Sequence, residues 1–235
     1  MLSQIILFSL LAGSTVFIGG LLSCYFENRV HNKDIKELIV HYLISFATGI
    51  MLSAISFVLV PKGMKELPIL FSTTLFILGG ISFYYFDKFI EKNRLKIPQL
   101  IAMLLDFIPE SVALGAVFVY DYKTGILLSI FIALQNLPES FNSYVELRKL
   151  NHSKYKALFQ LFVLSFMGLL FSLLGYYFLD THEKITSSLM LFSAGGIMYI
   201  IFQDIAPLLH YKKRKLIAIG VNIGFIIGML GEAIL

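Results

Sequence analysis

The chain has 235 residues, of which 57% are hydrophobic and 14% are charged. Soluble domains carry about 25% charged residues, so this composition excludes an ordinary water-soluble globular protein. Cys24 is the single cysteine, which excludes an intramolecular disulfide and a metal cluster held by several thiolates.

Eight long apolar stretches follow one another along the chain, separated by short polar connections. Each reaches the ~20 residues that an α-helix needs to cross a bilayer, and backbone hydrogen bonding in lipid requires helices rather than open strands. We therefore expect an all-α integral membrane protein with one transmembrane domain over residues 1–235. The expected spans are 2–26, 37–61, 67–87, 98–120, 124–147, 155–179, 185–209 and 214–235.

The net charge of +4 comes from Lys and Arg residues that are concentrated in alternate connections. If the N-terminus lies outside the cytoplasm, the inner connections hold fifteen of them and the outer connections hold four. Cytoplasmic loops are enriched in these residues, so we expect both termini to be extracytoplasmic in a multi-pass protein of the cell (plasma or inner) membrane. Topology explains the positive charge, and we expect membrane lipid rather than nucleic acid as a partner.

Acidic residues in the interior of the expected spans have no Lys or Arg in the interior of any span to neutralise them. Asp106 and Glu110 lie in the fourth span, Glu139 in the fifth and Asp204 in the seventh. An acid at mid-bilayer costs about 3 kcal/mol on insertion scales, so such groups are expected to be protonated or to face a cation. Acids without bases favour a cation pathway over an anion pathway.

The fourth and fifth spans share one pattern, Ile108-Pro109-Glu110-Ser111 and Leu137-Pro138-Glu139-Ser140. Asp106 precedes Glu110 by four residues, and Gln135 precedes Glu139 by four, so each pair shares a helix face. The short turn at 121–125 makes the two helices antiparallel neighbours with both glutamates near mid-span. Each proline also frees the carbonyl four residues before it, so several oxygens are expected to converge. The simpler interpretation is a pair of helix kinks with protonated glutamates bonded to neighbouring helices.

These residues resemble the signature of the ZIP (Zrt/Irt-like) family of divalent metal transporters. In that family the fourth helix typically reads His-Asn-x-Pro-Glu-Gly and the fifth reads His- or Gln-x-x-Pro-Glu-Gly. The resemblance implies primary metal-site positions at Asp106, Glu110, Gln135 and Glu139. It also implies that Asn136 stands where some members contribute to a second metal.

The departures from the family pattern bear on the metal. Asp106 replaces a histidine, and Phe107 replaces an asparagine that can help to hold a second metal, which argues against a two-metal centre. The resemblance implies Zn²⁺, Mn²⁺ or Fe²⁺ as the transported substrate, with no cofactor. Oxygen ligands shift preference toward harder ions such as Mn²⁺ or Fe²⁺, although Zn²⁺ also accepts carboxylates, so the choice stays open.

The second and seventh spans also share a short pattern. Residues 47–51 precede Pro61, and the similar residues 194–198 precede Pro207. These spans cross the membrane in opposite directions, as expected of an inverted repeat, and the resemblance implies a three-plus-two-plus-three helix arrangement.

Polar side chains continue from the candidate site toward the expected cytoplasmic ends of three spans, where they form stripes at helical spacing. We expect them to line a wet inner vestibule below a dry outer gate, with buried hydrogen-bond seams as the alternative. The transport-pathway candidates are Gln99, Met103, Asn142, Glu146, Gln203 and Asp204.

Glycines at 220, 224, 228 and 231 form a stripe on the eighth span. Such a stripe permits close helix approach, either at a homodimer face or within one bundle. Two other functions remain open: a carrier for another cation, such as a proton-coupled organic amine near Phe107, and an intramembrane carboxylate enzyme. The enzyme is the weaker alternative, because no nucleophile or Ser-His constellation accompanies the acids.

Overall fold

The computed structural model describes residues 1–30, 32–92, 98–179, 182–209 and 215–234, and these are almost entirely helical. The α-helices in chain order are α1 (Leu2–Arg29), α2 (Lys33–Ser53), α3 (Val60–Lys65), α4 (Ile69–Lys92), α5 (Pro98–Tyr120), α6 (Tyr122–Lys149), α7 (Lys154–Ser165), α8 (Met167–Leu179), α9 (Glu183–Ile200) and α10 (Ile219–Ile234). The all-α membrane class is confirmed.

Seven helical stretches of the described chain are long and apolar enough to cross a membrane: Leu2–Arg29, Asp34–Lys65, Ile69–Lys92, Met103–Tyr120, Lys154–Leu179, Glu183–Leu209 and Leu216–Ile234. The expected fifth span corresponds to α6, which has 28 residues but is not among the seven. Gln135, Asn136 and Glu139 lower its hydropathy, so length and apolarity alone do not identify it.

Two spans contain π-helical segments that the sequence analysis did not anticipate. Ala54–Leu59 joins α2 to α3, and Ile201–Ile205 follows α9 before a 3₁₀ turn at Ala206–Leu209. Each segment includes the residue four positions before a proline, Pro61 in one case and Pro207 in the other. A proline clashes with the carbonyl at that position and donates no hydrogen bond, and a widened turn relieves the clash.

Helices approach most closely where glycines face the backbone of a neighbour. A Cβ on Gly49 of α2 would collide with Val221 of α10, and one on Gly224 would collide with Phe46 of α2. The same relationship joins α4 to α9, where Gly79 faces Phe192. Gly220 and Gly228 also face serines of α2, so most of the glycine stripe packs within the bundle rather than at a homodimer face.

Helix α6 lies at the centre of the bundle and packs against α1, α2 and α5. More than half of its 28 residues are buried. A helix enclosed by protein can carry polar side chains that lipid would exclude, which is why the Gln135 and Glu139 positions are compatible with a membrane-spanning segment.

Candidate metal site

The five side chains expected at the metal site are all buried, on two adjacent helices. Asp106 and Glu110 of α5 are 1% and 0% exposed, and Gln135, Asn136 and Glu139 of α6 are 0%, 0% and 4% exposed. The helices remain continuous through Pro109 and Pro138. Because proline has no N–H, the carbonyls of Leu105 and Leu134 lack their usual helical donor.

One direct hydrogen bond joins the α5 residues of this group to its α6 residues. Gln135 donates from Nε2 to Oε2 of Glu110 over 2.6 Å. Asp106 accepts a 2.7 Å hydrogen bond at Oδ1 from the backbone N–H of Phe107. The carboxyl groups of Asp106, Glu110 and Glu139 are all buried within this packed pair of helices.

Several buried oxygens of the group have no hydrogen-bond partner among the described residues. They are Oε1 of Glu110, Oε1 of Gln135, Oδ1 of Asn136 and both carboxyl oxygens of Glu139. An unsatisfied buried polar atom costs about 1–3 kcal/mol, and an isolated buried carboxylate costs more. Protonation, bound water or a cation can satisfy these oxygens.

The carboxyl groups are close but are not gathered into a finished coordination shell. In the part of the chain that the structure describes, no three His, Cys, Asp or Glu side chains meet as a ready metal cluster. The donor set nevertheless fits a divalent cation, since carboxylate and amide oxygens are suitable ligands. Binding would require the carboxyl groups of α5 and α6 to draw together.

Residues 93–234 match the family model described as ZIP Zinc transporter. The match covers more than half of the 235 residues and includes all of α5 and α6. The chain belongs to the ZIP family. A comparison with curated proteins finds none that matches it. This ZIP protein is therefore a multi-pass membrane protein of a family that transports divalent metal ions.

Two cavities open at the end of this ZIP protein that carries Arg148 and Lys149. It is called here the inner end, because connections rich in Lys and Arg are expected to face the cytoplasm. The larger cavity has a volume of about 750 Å³ and is lined by Asn142 and Glu146 among others. The smaller has a volume of about 280 Å³ and is lined by Glu146, Gln203 and Asp204, with Asp87 and Tyr199. Neither cavity is lined by the five buried site residues.

The structure thus separates the expected pathway residues into two groups. Asn142, Glu146, Gln203 and Asp204 line the inner cavities, although Gln203 is exposed rather than enclosed. Met103 is 1% exposed and belongs to the apolar core. The side chain of Gln99 lies outside the described residues.

The parts of α5 and α6 that lie beyond the site from the cavities, called here the outer half, are apolar and closely packed. On α5, Ala113, Leu114 and Val117 are 0–1% exposed, and on α6 Leu128 and Ile132 are both 0% exposed. The ring of Phe118 packs against that of Phe8 with centroids 5.5 Å apart. This part of α5 and α6 is therefore closed by apolar packing, and whether it faces outward remains a prediction.

Phe107 does not support the organic-amine alternative. Its ring is 1% exposed and fills the space beside Gly168 of α8, where an added Cβ would lie 2.5 Å from the ring. The ring also approaches Gly13 of α1. Phe107 therefore packs α5 against α1 and α8, and nothing in these contacts forms an aromatic wall for an amine.

Sequence reasoning missed the polar contacts between distant segments. Lys62 forms a 2.6 Å ion pair with Asp121, which also accepts hydrogen bonds from Thr124 at the start of α6. Burial raises the pKa of Asp121, but the hydrogen bonds from Lys62 and Thr124 outweigh it and hold the pKa below its usual value. In the sequence, the signal for these contacts was the acidic residue Asp121 between α5 and α6.

Proposed function

We propose that this ZIP protein carries Zn²⁺, Mn²⁺ or Fe²⁺ across the cell membrane into the cytoplasm through one site on α5 and α6. The observation that carries the proposal is the set of buried, unpartnered oxygens on Glu110, Gln135 and Glu139 within the described chain. A divalent cation satisfies such oxygens and neutralises the carboxylates together, as no single neighbouring donor can.

The proposed topology has eight spans, both termini outside and an inverted three-plus-two-plus-three repeat. Helix α6 serves as the fifth span, enclosed by the other helices. In the proposed repeat, the second span corresponds to the seventh and the third to the eighth. A contact between the second and eighth spans should then recur between the seventh and third. The packing of α2 against α10 and of α9 against α4 fits this rule and supports the repeat. The matching π segments before Pro61 and Pro207 support it further.

The proposed direction rests on the contrast between the two ends of the site. The inner cavities end near Asn142 and Glu146, whereas the outer half is packed with apolar side chains. A cation leaving the site would meet those polar groups first. Cysteines placed at Asn142 and Val145, in a Cys24→Ser background, should react with a water-soluble maleimide at least ~10-fold faster than cysteines at Ala113 and Leu128. Equal or reversed rates would contradict an inner vestibule.

Binding of the metal to the purified protein tests the proposed site. Glu139→Gln keeps the size of the side chain but removes a charge, and should weaken Mn²⁺ binding by ~10-fold or more, since charged ligands dominate affinity for divalent ions. Glu232→Gln, an exposed position on α10, is the matched control. An unchanged dissociation constant in Glu139→Gln would remove this residue from the site.

A further inference from the structure

A groove of about 420 Å³ runs along the side of the bundle where α4 packs against α9. Its floor is the backbone around Gly80 and Gly195, because neither residue has a side chain to fill the space. A Cβ added to Gly80 would have as its nearest atom the carbonyl oxygen of Gly195, at 3.5 Å. Ile77 of α4 and Phe202 of α9 line the groove and are 59% and 65% exposed. In a membrane, this largely apolar groove therefore opens to lipid rather than to the core of the bundle.

The groove has the depth of one leaflet of a bilayer. It extends from Phe76 of α4 to Gln203 of α9. The rings of Tyr84 and Tyr199 pack edge to face, with centroids 6.2 Å apart. Gln203, about one turn beyond Tyr199, therefore lies near the depth of Lys88. Phe76 and Lys88 are about 18 Å apart along the axis of α4, and one leaflet takes half of the ~30 Å hydrocarbon layer. A lipid tail that lies in the groove would bring its phosphate to the level of Lys88.

The inner end of the groove carries a lysine whose side chain lies over an aromatic ring. Nζ of Lys88 is 6.0 Å from the centroid of the Tyr84 ring. Gly80, Tyr84 and Lys88 follow one another at four-residue intervals, along one stripe of α4. Lys88 is exposed, and lysines and tyrosines at the ends of membrane helices lie at the level of the lipid head groups. The ammonium group of Lys88 is therefore placed where the phosphate of a lipid in the groove would lie.

A carboxylate lies on the same side of α4, nearer the end of the helix. Glu91 is exposed and follows Lys88 by three residues, which makes the two side chains neighbours on the helix surface. Among the described residues no ion pair joins them, and the lysine lies over Tyr84 instead. Asp87, the other acid at this end of α4, accepts a 3.0 Å hydrogen bond from the Tyr199 hydroxyl and lines the smaller inner cavity. The groove thus ends in a positive group followed by a negative one, about 4.5 Å further along the helix axis.

We propose that this groove binds one inner-leaflet phospholipid that carries a primary ammonium head group, as phosphatidylethanolamine does. Its tail lies across Gly80, its phosphate pairs with Lys88, and its ammonium group, which lies beyond the phosphate, donates hydrogen bonds to Glu91. A trimethylammonium head group has no N–H to donate, and an anionic head group without an amine leaves the carboxylate of Glu91 beside a like charge. The order of charges therefore matches one class of phospholipid. The inference requires the membrane-spanning fold but not metal transport.

Native mass spectrometry of the purified protein tests the head-group preference, with phosphatidylethanolamine, phosphatidylcholine and phosphatidylglycerol of identical tails as probes. Wild-type protein should bind phosphatidylethanolamine at least ~5-fold more tightly than the other two, the factor expected of one charged contact near the membrane surface. Glu91→Gln should remove this preference, and Lys88→Gln should weaken the binding of all three lipids. Lys154→Gln is the matched control, because Lys154 lies over the exposed ring of Tyr155 on α7, outside the groove lining. Equal affinities of wild-type protein for the three lipids would overturn the proposal.

Photolabelling tests where the lipid binds. Phosphatidylethanolamine with a diazirine in its tail, present as a minor lipid in phosphatidylcholine liposomes, should label peptides containing residues 76–80 and 195–203 in preference to other lipid-facing peptides. Gly80→Leu fills the groove and should abolish this preference, whereas Gly80→Ala leaves room and should retain it. Thermal unfolding in detergent checks that Gly80→Leu is folded, and the head-group comparison does not depend on that variant.

Two labelling results would contradict the proposal. One is equal labelling of the groove and of the exposed face of α10 in wild-type protein. The other is a wild-type labelling pattern in folded Gly80→Leu. Neither experiment measures metal, so the lipid site and the proposed transport function are tested separately.

Discussion

Gln135 of α6 donates a 2.6 Å hydrogen bond through Nε2 to Oε2 of Glu110 on α5. The bond fixes the orientation of the Gln135 amide. Neither Oε1 of Gln135 nor Oε1 of Glu110 has a donor among the described residues. One oxygen from each helix thereby lacks a described donor, which is the basis of the proposed cation site, and the amide holds the acid in place.

Replacing Gln135 should weaken metal binding more than it weakens the fold. Gln135→Leu removes a proposed ligand oxygen and a hydrogen bond to a charged group, the latter worth about 1.5–3 kcal/mol, so we expect a 10–100-fold rise in the Mn²⁺ dissociation constant by calorimetry. Gln160→Leu is the control, because Gln160 contacts His152 near the inner loop. Equal affinities in the two variants would argue against Gln135 as a ligand.

Asp106 should set the choice of metal. Asp106→His introduces imidazole, which favours Zn²⁺ over Mn²⁺, and the ratio of Zn²⁺ to Mn²⁺ uptake should rise severalfold. Asp106→Glu keeps the oxygen chemistry and should leave the ratio near its wild-type value. If the histidine variant shows no change in the ratio, Asp106 does not contact the ion.

The Lys62–Asp121 pair should make stability depend on acid pH. The pKa of Asp121 is lowered in the folded protein, so its contribution is present above the unfolded value of about 3.9 and is lost as pH falls through the lower folded value. The pair is partly exposed, which limits its contribution to about 1 kcal/mol or less. Thermal unfolding between pH 7 and 3 measures this loss.

Two substitutions separate the charge of Asp121 from its capping role. Asp121→Asn can still accept from Thr124 N–H but lacks the charge, so it should lose the acid-dependent contribution alone. Asp121→Ala should lose a further ~1 kcal/mol, the usual value of an N-cap. A wild-type acid response in Asp121→Asn would mean that other carboxylates produce it.

Replacing either of two adjacent glycines of α4 by alanine should have different effects on stability. A Cβ on Gly79 would collide with the backbone carbonyl of Phe192, whereas a Cβ on Gly80 would lie 3.5 Å from the nearest atom, the carbonyl oxygen of Gly195. Gly79→Ala should therefore separate α4 from α9 and cost about 1–3 kcal/mol. Gly80→Ala should be neutral or slightly stabilising, and detergent thermal-shift assays distinguish the two. Similar melting temperatures for both variants would contradict the close approach at Gly79.

Local sequence patterns predicted the features that depend on interactions within one helix or across one short turn. The apolar run over 98–120 coincides with α5, and helical spacing placed Asp106 with Glu110 and Gln135 with Glu139. The Gln135–Glu110 contact follows from an antiparallel pair joined by a short turn. These inferences need only hydropathy, helix periodicity and connection length.

Other features depend on contacts between distant segments, and no sequence period encodes them. Lys62 and Asp121 are 59 residues apart, and their pairing depends on how α3 meets the α5–α6 turn. The π segments are responses of the helix to Pro61 and Pro207, and the residue at which the turn widens depends on packing. The apolar stretch over 124–147 was expected to be a span and corresponds to α6, but α6 is not among the seven stretches that length and apolarity identify. Burial by neighbouring helices, rather than its own composition, permits its polar residues.

Metal flux into proteoliposomes tests the central claim most directly. Wild-type protein should take up Mn²⁺, Zn²⁺ or Fe²⁺ faster than empty liposomes, and Glu110→Ala and Glu139→Ala should each lower uptake at least ~100-fold, because a buried ligand charge typically contributes about 3 kcal/mol or more. Glu232→Ala, at an exposed position of α10, should retain uptake. Wild-type flux in the Glu110→Ala and Glu139→Ala variants would contradict a metal site on α5 and α6.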